Sequence, residues 1–327
     1  MIISRTPLRI SFVGGGSDLP VFYRRFGGAV VSTSIDQFVY VTINKKFDDQ
    51  IRVSYSRTEE ARSVDRVKHP LVREAMKLLS IKGGVEITSI ADIPARGTGL
   101  GSSSSFTVGL LHVLHAYAER YASAEQLARE ASVIEIERCA EPIGKQDQYA
   151  AAFGGLNFIE FHPDDSVTVE PIICRRETVR QIQEQMLVFY TGFTRSASSI
   201  LQHQQSALLS DRKKQRVTRR MVELAHELCR EIQHNKVGSL GEILHEGWRL
   251  KKSLAAGIST QLLDDLYLKA RKAGAVGGKL LGAGAGGFFL FYAPQDQHEA
   301  IAQALHGLRR MDFRFEPQGS RIIFVHH

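Results

Sequence analysis

The stretch Ile93-Pro94-Ala95-Arg96-Gly97-Thr98-Gly99-Leu100-Gly101-Ser102-Ser103-Ser104-Ser105 has the residue types needed to hold an anion. Gly97, Gly99 and Gly101 permit a sharply bent backbone that a ligand can approach closely. Ser is a favoured helix N-cap and an apolar run opens at Phe106, so a helix is expected to start within the serines. A glycine loop feeding a helix N-terminus offers free N–H groups and the positive end of the helix dipole, which together suit phosphate. Flexible Gly/Ser linkers share this composition, but they rarely run straight into an amphipathic helix. No Lys follows Gly101 as in G-x-x-x-x-G-K-[ST], and the even spacing of the glycines is not G-x-G-x-x-G. A phosphate held here meets backbone and hydroxyls alone, so positive charge has to come from elsewhere.

Two more glycine runs flank this one in sequence, Gly14-Gly15-Gly16-Ser17-Asp18 and Gly274 to Gly287. Three such segments, each tied to a strand or helix end, suggest a backbone wrapped around an anionic ligand. Phosphoryl transfer needs that cradle, a metal between phosphates, and an acid at the nucleophile. Ser102 to Ser105 with Glu137 can supply oxygen ligands for Mg²⁺, which takes one or two carboxylates plus hydroxyl or water oxygens. Glu137 can equally form a weak surface pair with Arg138. Asp147, in Gly144-Lys145-Gln146-Asp147-Gln148, can orient a hydroxyl or accept its proton, or merely cap a helix. Asp18 can accept polyol hydroxyls, or close its own turn. Zinc proteolysis, serine hydrolysis and thiol redox chemistry find no H-E-x-x-H, G-x-S-x-G or C-x-x-C.

The chain has 327 residues, 43% of them hydrophobic and 24% charged, enough for two domains or one large one with a real core. There is no apolar run of membrane-spanning length and no signal-peptide layout at Met1 to Arg5, so a cytoplasmic protein is expected. Cys139, Cys174 and Cys229 match no metal spacing and read as free thiols in a reducing compartment. The net charge of +7 raises nucleic acid as a partner. The densest basic cluster, from Arg212 to Arg220, lies on a helical stretch without interleaved aromatics and reads as a solvated face. Neither nucleic acid nor membrane is expected as a partner.

Several elements must position these groups. Residues 2–13 read as a strand running into the first glycine turn, and 29–47 as a strand pair rich in β-branched and aromatic residues. Leu71, Ala75, Leu78 and Leu79 have helical spacing. Phe106, Leu110, Val113, Leu114 and Tyr117 make one helix face, and Leu127, Ala128, Ala131 and Ile134 another, stopped by Pro142. From 197 to 274 the pattern is helical, with Leu244, Gly247, Trp248, Lys251 and Leu254 on one stripe. The order β-α-α-β-α-β after residue 185 suits a two-layer α+β domain.

The chain resembles the GHMP kinases. Pro94 to Ser104 matches the P-x-x-x-G-L-G-S-S-[SA] motif with Thr98 as an open position. Pro7-Leu8-Arg9-Ile10-Ser11-Phe12-Val13-Gly14-Gly15-Gly16-Ser17-Asp18 looks like the first motif, and Gly277 to Phe288 like the third. The first motif and Gly144-Lys145-Gln146-Asp147-Gln148-Tyr149 look most like the sugar-1-kinase branch. The resemblance implies an α+β fold of two domains: residues 1–180, similar to ribosomal protein S5 domain 2, and residues 181–327, ferredoxin-like. It implies ATP and Mg²⁺ as cofactors, and transfer to the anomeric hydroxyl of a sugar phosphate, foremost a heptose 7-phosphate, for nucleotide-activated heptose and surface polysaccharide. A fucose-, galactose- or mevalonate-like acceptor, or a non-catalytic sensor, stands as the alternative.

By the same resemblance Asp147 is the catalytic aspartate, with Arg9 near the reacting centre. Gly16, Ser17, Asp18 and Arg195 bind the acceptor. Gly97, Gly99, Leu100, Gly101, Ser102, Ser103 and Ser104 bind nucleotide, and Ser103 and Glu137 bind metal. Lys145, Arg24, Arg25 and Arg195 are candidates for the sugar's own phosphate, and a homodimer is possible. Ala285 departs from the usual glycine of the third motif and is expected at negative φ.

Overall fold

The computed structural model describes residues 1–93, 97–193 and 197–326. Twelve strands among the described residues fall in two sheets. The first contains β1 (Ile2–Val13), β2 (Gly28–Lys45), β3 (Ile51–Ser54), β4 (Thr58–Ala61), β5 (Val85–Ala91), β6 (Leu156–Phe161) and β7 (Val167–Pro171), joined by the last strand, β12 (Arg321–Val325). The second contains β8 (Met186–Tyr190), β9 (Gly277–Leu280), β10 (Phe288–Tyr292) and β11 (Arg309–Met311). The helices are α1 (Pro20–Phe26), α2 (Pro70–Leu78), α3 (Ser102–Tyr117), α4 (Ala124–Ser132), α5 (Gln146–Phe153), α6 (Arg176–Glu184), α7 (Ala197–Ser210), α8 (Arg212–Gln233), α9 (Leu240–Lys252), α10 (Gln261–Lys272) and α11 (His298–Ala304).

The first sheet runs β12-β1-β2-β5-β3-β4, with β6 also on β2 and β7 on β6. Residues 29–47 are not a strand pair but the single bent strand β2. Its first half, Gly28 to Thr33, pairs with β6, and its second half, Val39 to Lys45, with β5. The register against β1 slips between Pro7 and Leu8, where Phe38 and Ile35 stand opposite and Asp36 and Gln37 bulge out. Helix α3 lies on this sheet with Val108, Leu110, Leu111, Val113 and Leu114 fully buried, and α2, α4 and α5 pack against it. A helix so enclosed holds its N-terminus rigidly in place.

The second sheet runs β11-β8-β10-β9, all neighbours antiparallel, from a β-α-β-β-α-β chain order. This is the expected ferredoxin-like arrangement. Its core is a cluster of Trp248, Tyr267, Phe289 and Phe291 with surrounding aliphatics. Strand β9 was not anticipated inside the third glycine run. Gly277 and Gly278 serve close packing there: a Cβ on Gly277 would stand 1.7 Å from Gly241 O of α9. The expected division at residue 180 needs one correction, because the chain crosses back at its end. Strand β12 pairs with β1, so the first sheet is closed at one edge by the C-terminal segment.

Candidate active site

Strand β1 delivers Arg9 to the floor of a cleft of about 1390 Å³ between the two sheets' helices and loops. The Arg9 backbone N–H donates to Leu100 O at 3.0 Å, which ties the strand to the glycine loop. Its guanidinium is spent locally. Nε and Nη2 donate to the two carboxylate oxygens of Asp147 at 2.7 and 2.8 Å, and Nη1 donates to Gly99 O at 2.7 Å. Bidentate pairs of this kind fix geometry as well as charge. Asp147 is the second residue of α5, and its carboxylate remains partly open to the cleft.

Helix α3 starts at Ser102, as expected, but its cap is Gly101 in the left-handed region and not a serine. Gly97, Gly99 and Gly101 all take positive φ, which gives their spacing a backbone reason. The four serines divide the work. Ser102 shares a hydrogen bond with Thr98, and Ser103 donates to Glu135 Oε1 at 2.8 Å. Ser104 also faces Glu135, while Ser105 donates to Pro7 O at 2.8 Å. Gly97, Gly99, Gly101, Ser102 and Ser103 line the cleft. Leu100 is buried in the core, so its carbonyl serves Arg9 while its side chain serves packing.

Asp18 is brought to the same floor by the first glycine loop. Its carboxylate accepts from Gly16 N at 2.8 Å and Gln146 N at 3.3 Å, and a Cβ on Gly144 would clash with it. Burial, and then the charge of Asp147, raise its pKa. Gly16 lines the cleft, but Ser17 does not act as expected. Its hydroxyl exchanges hydrogen bonds with the Ala29 backbone at 3.1 Å, so it anchors the loop to β2. Arg195 lies outside the described residues.

Glu137, expected as a metal ligand, does not meet the serines; the glutamate that does stands two positions earlier. Glu137 is exposed, whereas Glu135 is wholly buried under Ser103 and takes a 2.6 Å hydrogen bond from Gln148. The buried face of α4, Leu127 and Ala131, continues at a four-residue step to Glu135 and not to Glu137. The chain widens to a π-type turn over Val133–Arg138, which shifts the phase further. Burial pushes the Glu135 carboxyl up to about 7, and among the described residues it has no ion pair.

That donor set fits Mg²⁺. A buried carboxylate without a cation, beside a hydroxyl at the helix N-terminus, leaves charge for a divalent ion to balance. No group of three or more His, Cys, Asp or Glu among the described residues is placed to bind a metal, and Mg²⁺ does not require one.

Arg24 and Lys145, candidates for a substrate phosphate, instead meet Asp165 at 3.0 and 3.4 Å. Arg25 lies over the Phe26 ring, and none of the three lines the cleft. The second domain contributes what sequence reasoning missed. Lys251 of α9, Lys279 of β9 and Gln204 of α7 line the cleft and are buried. Lys251 sat in plain view on the apolar stripe of α9, and a lysine on such a stripe is the signal that could have found it.

Two family signatures match the chain, GHMP kinases N terminal domain over residues 68–155 and GHMP kinases C terminal over residues 224–310, together more than half of it. The chain belongs to the GHMP kinases. It is therefore a phosphotransferase with an alcohol group as acceptor, and GHMP kinases use ATP. Among relatives, it is 28% identical to the D-glycero-alpha-D-manno-heptose 7-phosphate kinase of Campylobacter jejuni, over 97% of each chain. It is 25% identical to the galactokinase of Pyrococcus furiosus, over 93% of this chain and 92% of that one. Among solved structures, the D-glycero-D-manno-heptose 1-phosphate kinase of Bacteroides thetaiotaomicron superposes with a TM-score of 0.81 at 26% identity, over the whole of both chains. This GHMP kinase thus resembles sugar kinases from end to end. No helix among its described residues is long and apolar enough to cross a membrane.

Proposed function

We propose that this GHMP kinase transfers the γ-phosphoryl group of ATP to the anomeric hydroxyl of a heptose that already carries a phosphate. The observation that carries the reading is the Arg9–Asp147 pair, set beside Asp18 at the mouth of the glycine loop. Asp18, locked by two backbone N–H groups, accepts sugar hydroxyls and orients the ring. Asp147 keeps one face on the cleft and receives the acceptor's proton, while Arg9 holds its carboxylate in place. The triphosphate lies on Gly97 to Ser103 at the positive end of α3. The base fits the end of the cleft lined by Tyr55, His69, Ile90 and Phe106, where the His69 ring stands edge-on to Tyr55 at 4.7 Å. Ser103 and Glu135 are the residues that would hold Mg²⁺, which when bound neutralises phosphate charge.

The heptose reading is supported by the end-to-end likeness to heptose phosphate kinases, whose names agree on the sugar and differ on the position of the phosphate. ADP release across heptose 7-phosphate, unphosphorylated heptose, fucose, galactose and mevalonate tests it, with the product's phosphate position read by ³¹P NMR. Heptose 7-phosphate is expected to lead in kcat/KM and to yield an anomeric phosphate; a lead for any other acceptor overturns the substrate. Asp147→Asn is expected to lower kcat by about 10²–10⁴-fold with nucleotide still bound. Unchanged turnover removes Asp147 from its role.

A further inference from the structure

The glycine loop lacks the lysine that other phosphate loops carry, and among the described residues one lysine stands free to replace it. Among the described residues four Lys and Arg side chains line the cleft: Arg9, Arg57, Lys251 and Lys279. Arg57 donates to Tyr55 Oη at 2.6 Å. Arg9 is committed to Asp147 and Gly99. Lys279 donates to Ser11 O at 2.7 Å and Phe12 O at 3.0 Å, which pins it beneath β1. Lys251 makes one hydrogen bond among the described residues, to Gly282 O, and an ammonium has three donors. Among the described residues it forms no ion pair, although only 8% of its surface is exposed. Gly282 in turn abuts the phosphate loop, since a Cβ there would come within 2.3 Å of Gly99 Cα. Lys251 is therefore anchored at the seam between the two glycine loops, on the side that shares the cleft with Asp18 and Asp147.

We propose that Lys251 is a catalytic residue that contacts the transferred phosphoryl group, supplying from the second domain the lysine that the loop lacks after Gly101. The proposal rests on the phosphoryl-transfer reading above. In the step, the acceptor hydroxyl oxygen bonds to the γ-phosphorus as the bond from phosphorus to the β,γ-bridging oxygen breaks. The electron pair of that bond leaves with ADP, and the hydroxyl proton passes to the Asp147 carboxylate. Lys251 keeps its proton and donates hydrogen bonds to the oxygens of the group in flight. Such contacts act mainly on the transition state, where a preorganised donor in a dry site has most effect. The burial that lowers the Lys251 pKa, offset in part by Asp18 and Asp147, is the cost of keeping a cation there before substrate arrives.

Lys251→Met, assayed with ATP and heptose 7-phosphate, is expected to lower kcat by about 10²–10³-fold. Its KM values should move far less. Affinity for MgADP with aluminium fluoride, a mimic of the group in flight, should fall by a similar factor while affinity for MgADP holds. A raised sugar KM at unchanged kcat, or no change at all, overturns the proposal. A structural role for Lys251 would lower the thermal midpoint instead and leave the mimic's relative affinity alone. Should the methionine variant fail to fold, Lys251→Gln carries the same comparison, and failure of both to fold overturns it too. Asp147→Asn measured alongside separates the readings: if it too leaves kcat intact, the phosphoryl-transfer site itself is misplaced.

Discussion

The two halves of β1 treat buried polar groups in opposite ways. In the outer half Ser4 donates to Gly109 O at 2.8 Å, and Thr6 shares a 2.8 Å hydrogen bond with Ser320. Both are buried and both are satisfied, as interior polar groups generally are. In the cleft half, Ser11 Oγ is buried with no hydrogen-bond partner among the described residues, and so are Gln146 Oε1 and Gln148 Oε1 nearby. Asp18, Glu135 and Lys251 add buried charge that no ion pair among the described residues offsets. A strand selected for stability alone would carry the first pattern throughout. The second pattern marks where ligand atoms complete the interior, and it costs stability until they arrive.

The sharpest way to break that comparison is the pair of glutamates two residues apart. Glu135→Ala removes a buried carboxylate under Ser103, and kcat is expected to fall by at least about 100-fold, since even outer contacts of a metal site cost 10–100-fold. Glu137→Ala removes an exposed one, and activity is expected to stay within about twofold. Steady-state kinetics over a magnesium titration decides it. Equal losses, or a loss confined to Glu137, would overturn the assignment of that role to Glu135.

Stability should respond with the opposite sign in the two halves. Ser4→Ala removes the hydrogen bond to Gly109 O and is expected to cost about 1 kcal/mol with kcat unchanged. Lys251→Met removes a cation whose pKa burial pushes down to about 8, facing Arg9, Lys279, Asp18 and Asp147. The unfolded chain titrates this lysine near 10.5, so between those values it binds a proton that the fold does not. Wild-type stability attributable to Lys251 therefore rises with pH across that window. The variant should be more stable at pH 7, by no more than about 3 kcal/mol, with the gain vanishing by about pH 10.5. Urea unfolding at pH 7 and pH 10 measures both. A destabilised Lys251→Met at pH 7 would place the lysine with Ser4 and Thr6 among satisfied structural groups.

Much of the site was legible because its chemistry is local. Glycines at 97, 99 and 101 announced positive φ, and Asp18, Arg9 and Asp147 stood inside short motifs. Glu135 and Lys251 were not legible in that way, because each sits on a helical stripe that reads as core. Periodicity places them indoors correctly, but it takes tertiary contact with Ser103 or Gly282 to show what they face there. Gly277 and Gly278 misled in the other direction. Glycine usually signals a loop, yet here it lets β9 pass under α9. Strand β2 was read as two strands since its halves do serve two partners; only the register against β1 shows that the backbone continues through Asp36 and Gln37.

The smallest effect concerns strain. Ala285 was expected at negative φ, but it takes φ +63 between Gly284 and Gly286, with its N–H donating to Ile258 O at 2.9 Å. An alanine pays roughly 1 kcal/mol or more for that conformation. The loop holds it there regardless, with the backbone fixed by the hydrogen bond to Ile258 O. Ala285→Gly relieves the strain but adds freedom to the unfolded chain, so a net gain of about 0.5 kcal/mol is expected, with kcat within about twofold. The measurement is the urea midpoint. A loss would mean that the methyl group, buried in the core of the second sheet, outweighs the strain. In that case the departure from glycine belongs to packing, like Ser4 and Thr6, and the tension in the cleft is confined to the groups that meet the substrate.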